Sequence, residues 1–305
     1  MTREEWLAQR KQGIGGSDAA AILGLNTWAS AFDVYLDKLG LREEKEDTEA
    51  MRQGRDLEEY VAQRFTEATG KEVKVAEAMI KHPEYSWMFA NVDRLVVSEN
   101  AGLECKTTST LNVKPFRRGE YPPQYYVQCM HYMAVTGATK WYLAVLVLGR
   151  EFHIFEIERD EDEISALIEA ERQFWFEHVI KKVPPAPDGK PATTEALKRM
   201  FPGRDDLEAV VLQPQEEDKI SRYLALQEQI KGLEKEAERI KQEICLALGD
   251  AQIGITRDYV VEWKVRARQS LDTKRLQKEA PDVYEKYLKP AMTYRVFSIK
   301  GGKQK

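Results

Sequence analysis

The chain is poor in several features that would identify a protein directly. Its three cysteines, Cys105, Cys129 and Cys245, are odd in number, far apart and form no CxxC. That excludes a disulfide scaffold and a zinc site of the usual thiolate kind, and fits a reducing cytoplasm. The four histidines, His82, His131, His153 and His178, show no HxxxH spacing and belong to no evident Ser/His/Asp set. Each is read as structural rather than as a metal ligand. The glycine-rich turn at Gly13-Ile14-Gly15-Gly16 is not followed by Gly-Lys-Ser or Gly-Lys-Thr, which argues against a nucleoside triphosphatase. The longest nearly apolar run, Trp141 to Gly149, is about half of the ~20 residues a membrane-spanning helix needs. The opening residues have no apolar core of signal-peptide type, so export is not expected. Internal repeats and low-complexity tracts are missing too.

What remains is 305 residues, 43% hydrophobic, 32% charged and 10% aromatic, the composition of a folded chain. At roughly 150 residues per domain that length is enough for two units. The net charge of −5 weighs against a nucleic-acid partner when taken alone. The charge is unevenly spread, however. Eight acids against Arg159 alone lie from Glu156 to Glu171, whereas thirteen Lys and Arg against six acids lie from Arg257 to Lys305.

Pattern and punctuation give the following elements. A short helix spans Trp6 to Gln12, and a second runs from Ala19 to Leu23, capped by Ser17 and Asp18. A long helix covers Thr48 to Ala68, with Met51, Gly54, Val61, Phe65 and Ala68 recurring at helical spacing. Strands Trp87–Val97 and Gly102–Thr108 follow, then a helix over Tyr125–Val135 and a hairpin of Trp141–Leu148 with Glu151–Ile157. An aromatic-rich helix covers Ile164–Ile180, and the proline-rich stretch from Val183 to Pro191 is irregular. Beyond 203 the character changes. Tyr223, Leu226, Ile230, Leu233, Ala237, Ile240 and Ile244 form a heptad seam. Two strands (251–256, 259–268), a helix (272–288) and a last strand (293–299) complete the chain.

Carboxylates in costly places carry the chemistry. Asp93 shares a strand face with Trp87, Phe89, Asn91, Leu95 and Val97. Glu104 and Lys106, two apart, point to one face with Cys105 opposite, and Glu58 falls on the inward stripe of the long helix. Three inward acids cannot all be ionised without cations or donors nearby, and a divalent metal meets that need. Oxygen donors of this kind suit magnesium or manganese. An ExK pair alone is more often a surface ion pair. Here it is joined by Asp93, eleven residues upstream across a hairpin, and by Gln128 and Tyr132, which share a helix face at i and i+4.

The order of an acidic helix residue, D-x10-E-x-K on paired strands and Q-x-x-x-Y on a helix resembles the PD-(D/E)xK nuclease superfamily in its QxxxY branch. More narrowly it resembles the YqaJ-type viral recombinase family of lambda-exonuclease-like nucleases. The residues that carry the resemblance are Arg10-x6-Ser17-Asp18, Gly54-Arg55-Asp56-Leu57-Glu58, Asn91-Val92-Asp93, Leu103-Glu104-Cys105-Lys106-Thr107 and Gln128-Cys129-Met130-His131-Tyr132. It covers roughly residues 1–203. It implies an α/β (α+β) fold with a restriction-endonuclease-like core, in which helices flank a mixed central sheet. That nuclease domain (1–203) would be followed by a C-terminal extension (204–305) holding the heptad helix (216–248) and a small basic α+β unit (250–300).

The resemblance further implies that Asp93 and Glu104, with the Cys105 backbone carbonyl, hold two magnesium ions, for which manganese may substitute. Lys106 would orient or deprotonate the attacking water. Glu58 would assist the second metal, and Gln128 and Tyr132 would hold the site and the scissile strand. Arg10 and Ser17 match the positions that grip a 5′-terminal phosphate. The implied partners are double-stranded DNA ends and a single-strand annealing protein, with a trimeric ring as the implied assembly. The implied setting is the cytoplasm of a bacterial host of a phage or prophage. The expected activity is 5′-to-3′ degradation of linear duplex that leaves 3′ single strands. The alternatives are a nuclease of the same fold with other polarity or endonucleolytic action, and a non-catalytic DNA-binding scaffold. The heptad helix is either an amphipathic helix packed on its own domain or a self-association or partner-binding helix. The basic tail either binds a duplex or single-strand backbone, with Tyr259, Trp263, Tyr284, Tyr287 and Tyr294 available to stack, or turns Val261, Trp263 and Val265 inward as the core face of a small sheet.

Overall fold

Caps and glycines set the limits of the helices in the first part of the chain. In the computed structural model, which describes residues 8–41, 48–109, 113–204, 209–290 and 294–301, α1 (Gly16–Ile22) begins three residues earlier than the expected start at Ala19. Gly15 is the N-cap, and its N–H donates to Asp18 Oδ2 at 3.0 Å, so Asp18 acts from inside the first turn. Ser30 caps α2 (Ala31–Lys38) reciprocally with Asp33. Thr48 caps α3 (Glu49–Thr69), which ends where Gly70 turns left-handed at φ 71°. Of the short N-terminal helix, residues 8–10 are helical and Trp6 lies outside the described residues.

The expected strand from Trp87 to Val97 is two strands in two sheets. β1 (Val73–Lys74) and β2 (Ile80–Lys81) precede it. β3 (Phe89–Ala90) pairs with β2, whereas β4 (Arg94–Val96) joins the main sheet. The reason is that Trp87 to Ala90 are all buried, so alternation fails there and resumes only after Asn91. The remaining elements of the first unit are β5 (Ala101–Thr108), α4 (Val113–Arg117), α5 (Pro123–Thr136), β6 (Lys140–Val147), β7 (Glu151–Glu158), α6 (Glu161–Gln173) and α7 (Pro191–Met200). Helix α6 continues as a π-helical stretch from Phe174 to Ile180. Helix α7 starts on Pro191, where the proline-rich segment was expected to remain irregular; proline at a first helical position needs no N–H partner.

The main sheet has the order β1-β4-β5-β6-β7, parallel only between β5 and β6, whose crossover contains α5. It is therefore the mixed, helix-flanked sheet of a restriction-endonuclease-like core. Alternation along β6 divides the interior. Trp141, Leu143, Val145 and Val147 face the layer of α1, α2, α5 and α6, while Tyr142 and Ala144 face α3 through Val61 and Phe65. On β5 the indole of Trp141 occupies the place where a Cβ on Gly102 would stand, only 2.2 Å from ring carbon. The glycine is thus required by close approach.

The chain divides into two units, Met1–Pro202 and Gly203–Lys305. In the second, α8 (Pro214–Leu248) is one uninterrupted helix. The two strands that follow are shorter than expected, β8 (Ile253–Ile255) and β9 (Val260–Glu262). The single helix expected over 272–288 is split into α9 (Thr273–Glu279) and α10 (Pro281–Lys286), because Pro281 cannot continue a helix and starts a new one. No strand forms over residues 294–299, and Thr293 lies outside the described residues. Trp263 and Val265 are 53% and 88% exposed, so they do not form the core face of a sheet.

Candidate active site

The antiparallel ladder of β4 and β5 pairs Arg94 with Leu103 and Leu95 with Gly102. One step further along the same ladder, Asp93 is level with Glu104, on the face that looks toward α5. The two carboxylates are held from different sides. Asp93 Oδ2 accepts the Cys105 N–H at 2.8 Å. Glu104 Oε1 accepts the amide of Gln128 at 2.7 Å and forms an ion pair with the Lys106 ammonium. The same Gln128 nitrogen lies 2.7 Å from the Tyr132 hydroxyl, so the i, i+4 pair on α5 acts as one bracket on the strand. Beneath it, Gly16 leaves room for Tyr132: a Cβ there would stand 2.6 Å from the phenol ring. The Lys106 ammonium also sits 5.3 Å from the centre of the Tyr125 ring, one turn before Gln128.

Burial and the neighbouring Glu104 charge push the Asp93 carboxyl well above the usual carboxylate range, against the pull of Lys106. Burial alone would favour a neutral Lys106, but Glu104 and Asp93 outweigh it and hold the side chain as an ammonium. Burial and the same two acids push the Tyr132 hydroxyl well above its ordinary value. Burial likewise pushes up the thiols of Cys105 and Cys129, so neither offers a thiolate. Two acids side by side at such cost make a place where a bound cation would be favoured.

The donor set fits magnesium. Glu104 Oε2 is buried and has no hydrogen-bond partner. The N–H and C=O of a residue in an extended strand point to the same edge, so the Cys105 carbonyl is directed toward the Asp93 edge, like its N–H. Among the described residues no three His, Cys, Asp or Glu side chains converge as a closed metal cage. Magnesium does not require one, because it ordinarily keeps waters and takes one or two carboxylates.

Glu58 is placed differently from the expectation. Arg94 and Asp93 are adjacent and point to opposite faces of the sheet, and Glu58 lies on the Arg94 side. Its Oε1 accepts from Arg94 Nη1 at 2.6 Å, while Glu59 takes Nη2 at 2.9 Å. Glu58 still raises the Asp93 carboxyl through its charge, but it is not gathered with Asp93 and Glu104.

Arg10 and Ser17 are brought together, with Arg10 Nη2 3.4 Å from Ser17 Oγ and 3.5 Å from Asp18 Oδ1. What anchors them was not visible in the motif. The fully buried ammonium of Lys38, at the end of α2, lies 2.6 Å from Asp18 Oδ2 and donates to the Arg10 carbonyl at 2.8 Å. Burial alone would raise the Asp18 carboxyl, but Lys38 and Arg10 hold it below the ordinary carboxylate value. A lysine in the last turn of an amphipathic helix gives no sequence signal for such a role. His131, the one histidine near these groups, is buried between Glu171 (2.8 Å) and the Phe89 carbonyl (2.9 Å), as a structural histidine would be.

Comparisons with known proteins show the family and the fold of the chain. Residues 5–139 match the model of the YqaJ-like viral recombinase domain. The chain is 41% identical over 303 residues to the uncharacterized protein YqaJ of Bacillus subtilis, covering 98% of this chain and 95% of that one. Its fold is similar to the crystal structure of an alkaline exonuclease, LHK-Exo, from Laribacter hongkongensis. That match has a TM-score of 0.51 at 24% identity, over 65% of this chain and 97% of that one. The same exonuclease in complex with dAMP matches over the same shares, at 24% identity and a TM-score of 0.52. Sequence identity across nearly the whole length, together with the family match, shows that the chain belongs to the YqaJ family of viral-recombinase-like proteins.

Proposed function

We propose that the chain is a magnesium-dependent exodeoxyribonuclease that hydrolyses one strand of linear duplex DNA from a 5′-phosphorylated end. The observation that carries this reading is the level pairing of Asp93 with Glu104 beside Lys106, with one Glu104 oxygen buried and unpartnered. Support also comes from a protein of the same fold that is an alkaline exonuclease and binds dAMP.

Asp93, Glu104 and the Cys105 carbonyl would hold the metal, which supplies positive charge to the scissile phosphate when bound. Lys106, kept as an ammonium, would neutralise charge that develops on the phosphate oxygens and orient the attacking water. Gln128 would keep the Glu104 carboxylate from rotating, and Tyr132 would keep Gln128 from doing so. Arg10 and the Ser17 hydroxyl, at the start of α1, would take the terminal phosphate, where a guanidinium and a helix N-terminus both favour an anion. Engagement of Glu58 by Arg94 means that help with a second ion would need the pair to open. The 3′ single strand left behind is the kind of substrate a single-strand annealing protein would take up.

The test is linear duplex labelled at either end, with and without a 5′ phosphate, incubated with magnesium and with wild type, Glu104→Gln or Arg10→Ala. Expected are release by the wild type alone at full rate, loss in Glu104→Gln, and a phosphate preference that disappears in Arg10→Ala. No magnesium-dependent release from the wild type would sink the nuclease reading. Release indifferent to the phosphate would sink the polarity.

A further inference from the structure

Charge is segregated along the second unit. Helix α8 carries eight acids against six Lys and Arg, whereas residues 257–305 carry thirteen Lys and Arg against six acids, in a chain whose net charge is −5. Few of those cations are engaged within the fold. Among the described residues past 256, Lys264 pairs with Glu262 and Arg275 with Glu279, while Arg257, Arg266, Arg268, Lys274 and Lys289 have no carboxylate within ion-pair distance. The aromatic rings of the same stretch are left open too: Tyr259, Tyr287 and Tyr294 are 74–79% exposed. The two kinds of group meet in one segment. Residues 262–270 are exposed without exception, and along them Lys264, Arg266 and Arg268 alternate with Trp263, Val265 and Ala267. The segment is anchored at its start. There the N–H groups of Trp263 and Val265 donate to the backbone carbonyl of Gln252 at 2.9 Å and to its side-chain amide oxygen at 3.3 Å. The Trp263 ring borders an open cleft of about 500 Å³ against α8, lined also by Lys241, Gln242 and Leu246.

We propose that this segment is a second DNA site, holding single-stranded DNA with phosphates on Lys264, Arg266 and Arg268 and bases stacked on Trp263 and Tyr259. Cations on alternate residues suit a backbone that carries one negative charge per nucleotide. Arg266 and Arg268 can fork onto phosphate oxygens without giving up a carboxylate of their own. The exposed rings choose the kind of strand. A duplex keeps its base faces stacked inside, whereas a single strand offers each face to an aromatic side chain. The cleft beside Trp263 gives a base room to lie against the indole, with Lys241 and Gln242 among the groups that could meet its polar edge. That the strand is the 3′ tail left by hydrolysis rests on the nuclease reading; that the segment takes up single strands does not.

Binding is read on closed-circular single-stranded DNA in EDTA, where no end can be gripped and no bond is cut. Failure of this site and failure of the nuclease are therefore seen separately. Full-length protein is titrated over a salt series as wild type, Arg266→Ala/Arg268→Ala, Arg266→Lys/Arg268→Lys and Trp263→Ala, with circular dichroism to verify that each variant keeps its helices. The alanine pair is expected to lower the slope of log affinity against log salt by about 1.4, and the lysine pair to keep it. Trp263→Ala is expected to weaken binding about 5–150-fold. Closed-circular duplex should be held less tightly than the single strand. No binding of the circle by wild type overturns the proposal, as does an unchanged slope in the alanine pair. Duplex held as tightly as single strand, or displacement of the circle by polyglutamate as readily as by an oligonucleotide, overturns the assignment to single-stranded DNA.

Discussion

Gln128 donates to Glu104 across the gap between a helix and a strand, at 2.7 Å, and thereby decides which Glu104 oxygen is left over. Oε1 is spent on Gln128 and Lys106, and Oε2 remains buried without a partner. The bracket therefore aims one lone pair, rather than the carboxylate as a whole.

Removing the bracket should weaken metal use before it weakens the fold. In Gln128→Ala the magnesium concentration for half-maximal nuclease activity is expected to rise about 10–100-fold, the usual cost of losing a group that orients a metal ligand. A magnesium titration of wild type and variant measures it. An unchanged half-saturation point would rule out the orienting role.

Lys38 should matter to stability far more than its motif-free position implies. Lys38→Met leaves Asp18 buried with its nearest cation gone, which is expected to cost about 3–5 kcal/mol in urea unfolding. Adding Asp18→Asn should recover part of that loss by removing the stranded charge. Recovery of nothing in the double variant would mean that the pair is not the source of the effect.

The buried pair of His131 and Glu171 gives stability a defined pH dependence. Both ring nitrogens of His131 face oxygen. Burial works against the imidazolium, but Glu171 outweighs it and holds His131 above its ordinary value of 6.5. Burial raises Glu171 as well, against the pull of His131. A raised folded-state value means that the folded chain binds the proton more tightly than the unfolded one. The His131 contribution is therefore complete below pH 6.5 and lost as pH rises through the raised value. Unfolding free energy measured from pH 6 to 9 should fall, and Glu171→Gln should flatten the slope. An undiminished slope in Glu171→Gln would falsify the assignment.

Gly102→Ala should be among the most damaging small substitutions. Its methyl would meet the Trp141 ring at 2.2 Å, between two paired strands and two residues from Glu104. Overpacking of this kind costs about 1–3 kcal/mol and shifts backbone. Thermal unfolding and nuclease rate should both fall. A variant of full stability would mean that the indole can move aside.

Much of this was legible in the sequence because spacing within one element is a local property. Glu104 and Lys106 had to share a face of β5, and Gln128 and Tyr132 a face of α5. Relations between elements were not legible. Alternation from Trp87 to Val97 suits one strand as well as two, and only the pairing of Phe89 with Lys81 and of Met88 with Ile14 reveals the break. Glu58 was placed on the correct helix, but its pairing with Arg94 was not legible. Arg94, the residue next to Asp93, reaches it from the other side of the sheet. The partnership of Lys38 with Asp18 spans twenty residues and leaves no periodic trace.

Asp93 immediately precedes the three-residue strand β4 and faces the opposite side of the sheet from Arg94, the strand's first residue. A slip of β4 by one residue against β5 would exchange a carboxylate for a guanidinium beside Glu104 and strand the other charge under α3. The error would be all-or-none. If the proposed metal site is right, the guanidinium that such a slip puts in place of Asp93 would repel the ion.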